Sequence, residues 1–166
     1  MLYMLDTNIC IYLVQRHPPE VFERLEAHDE GDVVMSVVTY AELRAGLSIH
    51  AAGRSRDEQA LLLLARRIPV LNFDAAAAER YGILRAAVRD RRRNALDRLI
   101  AAHAISVGAT LVTNNQTDFV DYPGIEVENW VAPPRTISEP PPRSTRGPAS
   151  SARKSVPRRV ASRPKR

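Results

Sequence analysis

Two textures of apolar residue alternate along this chain. Short apolar-rich stretches, too brief for a helix, fall at residues 2–5, 32–36, 70–73, 111–113 and 125–127. They read as buried strands, and the stretches between them carry helical spacing. Asp6-Thr7-Asn8 is a helix-start signal, predicting a short helix over 9–14. Pro18-Pro19 opens a second helix with Glu20 and Glu23 in its first turns and Val21, Phe22 and Leu25 on one face. Ser36 or Thr39 starts a third, running through Glu42 and Leu47. Residues 51–57 read as a polar loop, and 57–67 as a helix with Leu61 to Leu64 turned inward. Asp74 caps a long Ala-rich helix to about Arg91, and Asn94 caps another that ends at Val107 with Gly108 beyond it. A short helical turn is expected near Asp118. Strands alternating with helices imply an α/β fold, a mainly parallel sheet covered by helices.

The pattern stops after Trp130. From residue 132 onward there are eight Pro, abundant Ser and Arg, and no Phe, Trp, Tyr or Leu. Such a segment cannot bury enough apolar surface to offset an ordering cost of roughly 1–2 kcal/mol per residue. The expected organisation is therefore one domain over 1–131 and a disordered basic tail over 132–166.

Charge divides the same way. Of the formal +5, residues 133–166 hold ten Lys or Arg against one acid, a net of +9. The other 132 residues hold fourteen Arg, eighteen acids and no Lys, a net of −4. One cysteine, Cys10, rules out an internal disulfide and suits a reducing compartment; its apolar setting suggests a buried hydrophobe. The start has no basic leader, and no apolar run is long enough to span a membrane, so a cytoplasmic protein is expected.

Four acids stand where an apolar run meets a turn or a helix start: Asp6, Glu42, Asp97 and Asp118. Each has a bland explanation. Glu42 follows Thr39 at capping-box spacing, Asp6 can cap the first helix, Asp97 sits in a helical first turn, and Asp118 alone is a loop residue. Yet carboxyl ends of parallel strands share one edge of a sheet, so acids placed there converge. Converging carboxylates repel, and a hard divalent cation with oxygen ligands is the usual remedy. Thr7, Asn8, Ser36, Asn114 and Asn115 are short polar neighbours suited to orienting carboxylates or water. The four histidines form no zinc pattern, and His103 reads as a packed helix residue. Arg85, Arg89, Arg91, Arg92, Arg93 and Arg98 approach Asp97, and their forks suit phosphate oxygens, though a solvated helix face explains most such runs.

Several segments resemble PIN-domain toxins of the VapC type: Met-Leu-Asp-Thr-Asn-Ile-Cys-Ile-Tyr-Leu around Asp6, Ser-Val-Val-Thr-Tyr-Ala-Glu-Leu-Arg-Ala-Gly around Glu42, Asp-Arg-Leu-Ile-Ala-Ala-His-Ala from Asp97, and Gly-Ala-Thr-Leu-Val-Thr-Asn-Asn through Val-Glu-Asn-Trp. The likeness runs from Met1 to about Val131. It implies a PIN-like three-layer fold with about five strands, and a Mg2+-dependent endoribonuclease, Mn2+ serving as well. Asp6, Glu42 and Asp97 would be its site acids, with Asp118 the counterpart of a more variable fourth. Structured tRNA or rRNA as substrate, a cognate antitoxin and a homodimer are further implications. Many relatives carry a Gly-Pro loop before the late Asp; residues 91–96 here are Arg-rich instead, and the tail lies outside the pattern.

Two rivals remain for comparison. A haloacid-dehalogenase-like phosphatase also begins with an apolar strand ending in Asp, but it needs a second Asp where this chain has Asn8, and a Lys where the body has none. A PIN fold kept only to bind RNA or a partner would have no need of the full set of four acids.

Overall fold

The computed structural model describes residues 1–49, 54–88 and 95–131. The five expected strands form as β1 (Tyr3–Leu5), β2 (Val33–Ser36), β3 (Val70–Leu71, shorter than the expected 70–73), β4 (Thr110–Val112) and β5 (Val127–Glu128, shifted from the expected 125–127). They form one parallel sheet in the order β3-β2-β1-β4-β5. The helices are α1 (Thr7–Gln15), α2 (Pro19–Glu26), α3 (Val37–Ile49), α4 (Arg54–Arg67), α5 (Ala75–Ala87) and α6 (Ala95–Ser106), with a 3₁₀ turn at Gln116–Asp118.

Alternation along the central strands divides the core between two faces. Leu5, Met35 and Val112 pack with Ile9, Leu13, Val21, Leu25, Leu43 and Leu61 on one side. Met4, Val34 and Leu111 pack with Leu84, Val88, Ile100 and Ala104 on the other. Helices α1, α2 and α4 thus cover one face and α5 and α6 the other, giving three layers. Both faces being covered explains why β1, β2 and β4 read as continuous apolar runs.

Several sequence expectations shift. The helix expected from 57 begins at Arg54, overlapping the predicted loop. Of its leucines only Leu61 is fully buried; Leu62 and Leu63 face outward. A 3.6-residue period cannot turn four consecutive side chains inward. Phe22 is likewise exposed and lies against the Arg16 guanidinium, while Val21 and Leu25 carry the buried face of α2. Ser36, not Thr39, caps α3: its hydroxyl accepts from the Val38 amide at 3.1 Å. Asp74 caps α5 through the Ala77 amide, and Gly108 closes α6 in the left-handed region at φ +66°. Trp130 and Cys10 are fully buried. Helix α5 stops at Ala87, short of the expected Arg91, because Val88 leaves helical geometry at φ −121° and ψ 69°; the Asn94 cap and the tail lie outside the described residues.

Candidate active site

The chain leaves β1 for β2 and β3 on one side and returns to β4 and β5 on the other. The carboxyl ends of β1 and β4 therefore flank the point where strand order reverses, the place where open parallel sheets hold ligands. Asp6 occupies that point. It follows β1 directly, its amide donates to the Val112 carbonyl at 2.9 Å, and it caps α1 with Oδ1 accepting from the Thr7 amide at 2.7 Å. Its other oxygen, Oδ2, accepts from the Thr113 hydroxyl at 2.9 Å. Capping and site placement coexist in one carboxylate.

A cavity of about 280 Å3 opens there, lined by Asp6, Thr7, Asn8, Glu42, Asp97, Asn115, Asp118 and Phe119. The four acids come from four separate elements: the end of β1, the middle of α3, the first turn of α6 and the 3₁₀ turn after β4. Their mutual influence is visible in their ionisation. Burial pushes the Asp97 carboxyl from 3.8 up to about 6, and the charges of Asp6, Glu42 and Asp118 push the same way. Asp6 is also raised, first by burial and then by Glu42 and Asp118, against the lowering effect of its bonds from Thr113 and Thr7.

Glu42 is not the far end of a capping box. The Thr7 hydroxyl donates to its Oε2 at 2.6 Å, and the Thr39 hydroxyl donates to the Leu5 carbonyl instead. Asp118 accepts from the Asn115 side-chain amide, and Asn115 Oδ1 accepts from Thr117. The Asn115 backbone amide in turn donates to Thr113 Oγ1 at 3.1 Å, linking the β4 end to Asp6.

The other expected site residues divide. Thr7 and Asn8 line the cavity, but Ser36 and Asn114 do not. Ser36 is buried, hydrogen-bonded to Val38 and, at 2.9 Å, to Nδ1 of the buried His103. Burial lowers the His103 pKa, as expected of a packed imidazole. The Asn114 amide donates to the Tyr12 hydroxyl on the surface. Arg85 is exposed on α5, while Arg89, Arg91, Arg92 and Arg93 lie outside the described residues. Arg98 contradicts the expectation of phosphate contact: its side chain is 2% exposed, on the inward face of α6 beside Ile100 and Ala101. One position past Asp97 on a helix is a turn of about 100°, enough to point the next side chain into the core.

Sequence reasoning missed Thr113, whose hydroxyl holds Asp6, and Phe119, which walls the cavity. It also missed a second, more apolar groove of about 320 Å3 between α1, α3 and α4, which shares Thr7 and Glu42 with the acidic cavity. Among the described residues no set of three His, Cys, Asp or Glu side chains is already arranged to hold a metal ion. None of their helices is long and apolar enough to cross a membrane.

Fold and site together define a parallel α/β protein with a cavity lined by a cluster of carboxylates at a topological switch point. The sequence pattern of the PIN domain matches residues 3–125. The ribonuclease VapC2 of Rickettsia felis is 35% identical over 133 residues, covering 78% of this chain and 98% of the relative. The tRNA(fMet)-specific endonuclease VapC of Shigella flexneri is 37% identical over 134 residues, covering 77% and 97%. Among solved structures, VapBC2 of Rickettsia felis bound to a promoter DNA fragment aligns with a TM-score of 0.73 at 34% identity, over 78% of this chain and 99% of that one. This chain belongs to the PIN-domain family, within its VapC ribonucleases.

Proposed function

We propose that this protein is a metal-dependent endoribonuclease, the toxin of a toxin–antitoxin pair, and that Asp6, Glu42, Asp97 and Asp118 are its site acids. One observation carries the reading: four carboxylates from four elements line a single cavity, where burial first and then the charges of Asp6, Glu42 and Asp118 raise the Asp97 carboxyl to about 6. Crowding that hinders ionisation serves no purpose in an empty site and suits one that a cation neutralises. The donor set is all oxygen, which fits Mg2+ or Mn2+ and not zinc. The cavity leaves room for water between the carboxylates, so a bound ion would take its ligands from water and carboxylate together, with Asp6 and Asp97 as principal holders. Such an ion supplies positive charge to the phosphate oxygens and acidifies water toward neutral pH.

The chain's own residues do the rest. Thr113 and the Thr7 amide fix the orientation of both oxygens of Asp6. The Thr7 hydroxyl orients Glu42, and Asn115 orients Asp118. Oriented in this way, one carboxylate would accept the proton of the water that attacks the phosphodiester in line, and the departing 3′-oxygen would take a proton from solvent to leave as a 3′-hydroxyl. Cleavage then leaves a 5′-phosphate and needs no ribose 2′-hydroxyl.

Support for the wider role comes from the VapC relatives and from the VapBC structures. On this reading the substrate is structured RNA, tRNA or rRNA, and the partners are a cognate antitoxin and a second copy of the chain. The apolar groove beside Glu42 gives an inhibitory partner a seat next to the acids. Arg85 is kept as a phosphate contact together with Arg89, Arg92 and Arg93; Arg98 is not. The division after Val131, with a basic tail beyond it, belongs to the same proposal. So does a cytoplasmic setting, where buried Cys10 stays a thiol. The test is cleavage of total RNA with and without chelator, with mapping of the ends. Chelator should stop it, as should Asp6→Asn or Asp97→Asn, and products should carry 5′-phosphates. Cyclic 2′,3′-phosphate ends would overturn the mechanism.

A further inference from the structure

Helix α6 carries Asp97 in its first turn, and much of its buried face is smooth: Ala101, Ala102 and Ala104 pack with Ile100 against Met4, Val34 and Leu111. Small side chains exclude water but interlock little, so they fix the position of a helix along its axis only weakly. A slide of one residue moves a side chain by about 1.5 Å and turns it by about 100°. Metal–ligand distances tolerate only about 0.2 Å. The same face holds one imidazole. His103 is 1% exposed and stands about 9 Å along the axis from Asp97. Its Nδ1 lies 2.9 Å from the Ser36 hydroxyl, and Phe73 meets the ring edge-on with centroids 5.6 Å apart. Leucine would fill that space without burying ring nitrogens, and the bond to Ser36 is what the imidazole adds. Ser36 is a fixed partner. It ends β2, which pairs with β1 and β3 on its two sides, and its side chain shares the sheet face of Val34, the face that α6 covers. Leu5 is in register with Met35, so Asp6 and Ser36 are the next residues after a matched pair on strands about 4.8 Å apart. The Ser36 hydroxyl also accepts from the Val38 amide and so starts the helix that carries Glu42.

We propose that the buried Ser36–His103 hydrogen bond is the gauge that sets Asp97 against Asp6. It pins α6 to the strand end beside the one that carries Asp6, and so fixes the spacing of the two principal metal-holding carboxylates. Both are positioning residues, acting through the acids and touching neither metal nor RNA. The inference rests on the metal-site reading above. A directional bond to the sheet supplies the axial register that an alanine face leaves loose.

The test measures Mn2+ affinity by calorimetry on the full-length chain without RNA, alongside melting temperature. His103→Leu removes the bond and keeps the space filled, while His103→Asn keeps a polar atom near the position of Nδ1. Ile100→Val thins the same face of α6 and leaves the bond intact. His103→Leu should weaken Mn2+ binding by roughly tenfold, and His103→Asn should recover most of that loss. Ile100→Val should lower the melting temperature and leave binding unchanged. If His103→Leu does not fold, Ser36→Ala decides in its place, with the same loss expected. Wild-type affinity in the deciding variant overturns the gauge, as does an equal loss in Ile100→Val or in His103→Asn. A wild-type chain that binds no Mn2+ overturns the metal-site reading itself, and the gauge with it.

Discussion

Asp97→Asn should make the metal-free protein more stable at alkaline pH, and the size of the effect follows from the site. The Asp97 carboxyl titrates near 3.8 when unfolded and about 6 when folded, chiefly through burial and then through the Asp6, Glu42 and Asp118 charges. At about 1.4 kcal/mol per pH unit, that rise corresponds to about 3 kcal/mol of destabilisation once both states are ionised. Asp97 is half-buried, and solvent screening reduces this to about 1.5 kcal/mol. Asn also forfeits an acid in the first turn of α6, costing about 0.5 kcal/mol. The net gain is about 1 kcal/mol, a melting temperature higher by roughly 3–5 °C for a domain of this size. The sign with pH is fixed. A raised folded pKa means the native state holds its proton longer, so wild type loses stability as pH climbs from about 4 to about 6, then stays level. The advantage of Asp97→Asn should therefore be full at pH 8 and vanish near pH 4. The assay is thermal melting in EDTA at both values, repeated with Mg2+, which should favour wild type more than the variant. A wild type that melts higher than Asp97→Asn in EDTA at pH 8, or a gap that persists at pH 4, would refute the crowding of these acids.

Three further outcomes are expected. Thr113→Val removes the buried donor to Asp6 Oδ2, and because that bond lowers the Asp6 pKa, the acid limb of the pH–rate profile should move to higher pH while kcat falls roughly tenfold. Glu42→Gln should cut RNA cleavage by roughly two orders of magnitude yet change stability by less than about 0.5 kcal/mol, where loss of a capping partner would cost about 1 kcal/mol; melting and initial rates separate the two. Truncation after Val131 removes ten basic residues and should leave the cleavage site and metal requirement unchanged, while flattening the salt dependence of RNA binding by about 0.7 in log–log slope for each phosphate the tail had neutralised. Superimposable salt series with and without the tail would remove its role in binding.

Most of the sheet was legible because both its faces are covered. A strand buried on both sides must be apolar throughout, and β1, β2 and β4 stand out for that reason, whereas the edge strands β3 and β5 are only partly buried. What the pattern could not convey was the side of each helix that would be covered. Leu62 and Leu63 read as inward because they sit in a four-leucine run, yet only tertiary packing decides which of four consecutive residues turn inward: Leu61 is fully buried and Leu64 packs partly against the same core. Phe22 misleads in the same way. The start of α4 was hidden because Arg54, Ser55 and Arg56 have no apolar period, although Arg and the later Glu and Gln are good helix formers.

The acids were legible one by one at strand and helix junctions, but their support was not, and strand order explains the difference. Asp6 and Thr113 are 107 residues apart; only the pairing of Leu5 with Val112 makes them neighbours, each the first residue beyond its own strand. The sequence shows the same transition from apolar to polar at both points, and nothing in it says that β4 lies beside β1. Ser36 shows the converse. It ends β2 with the same transition, but β2 lies on the side of β1 away from β4, and its hydroxyl turns to cap α3 and meet His103. Arg98 departs from expectation for a related reason. Charge in a sequence suggests exposure, whereas the phase of α6 turns Arg98 inward, where it is 2% exposed. Residue type at a junction thus identified the candidate ligands, and only the register between strands and the phase of each helix selected the groups that hold them.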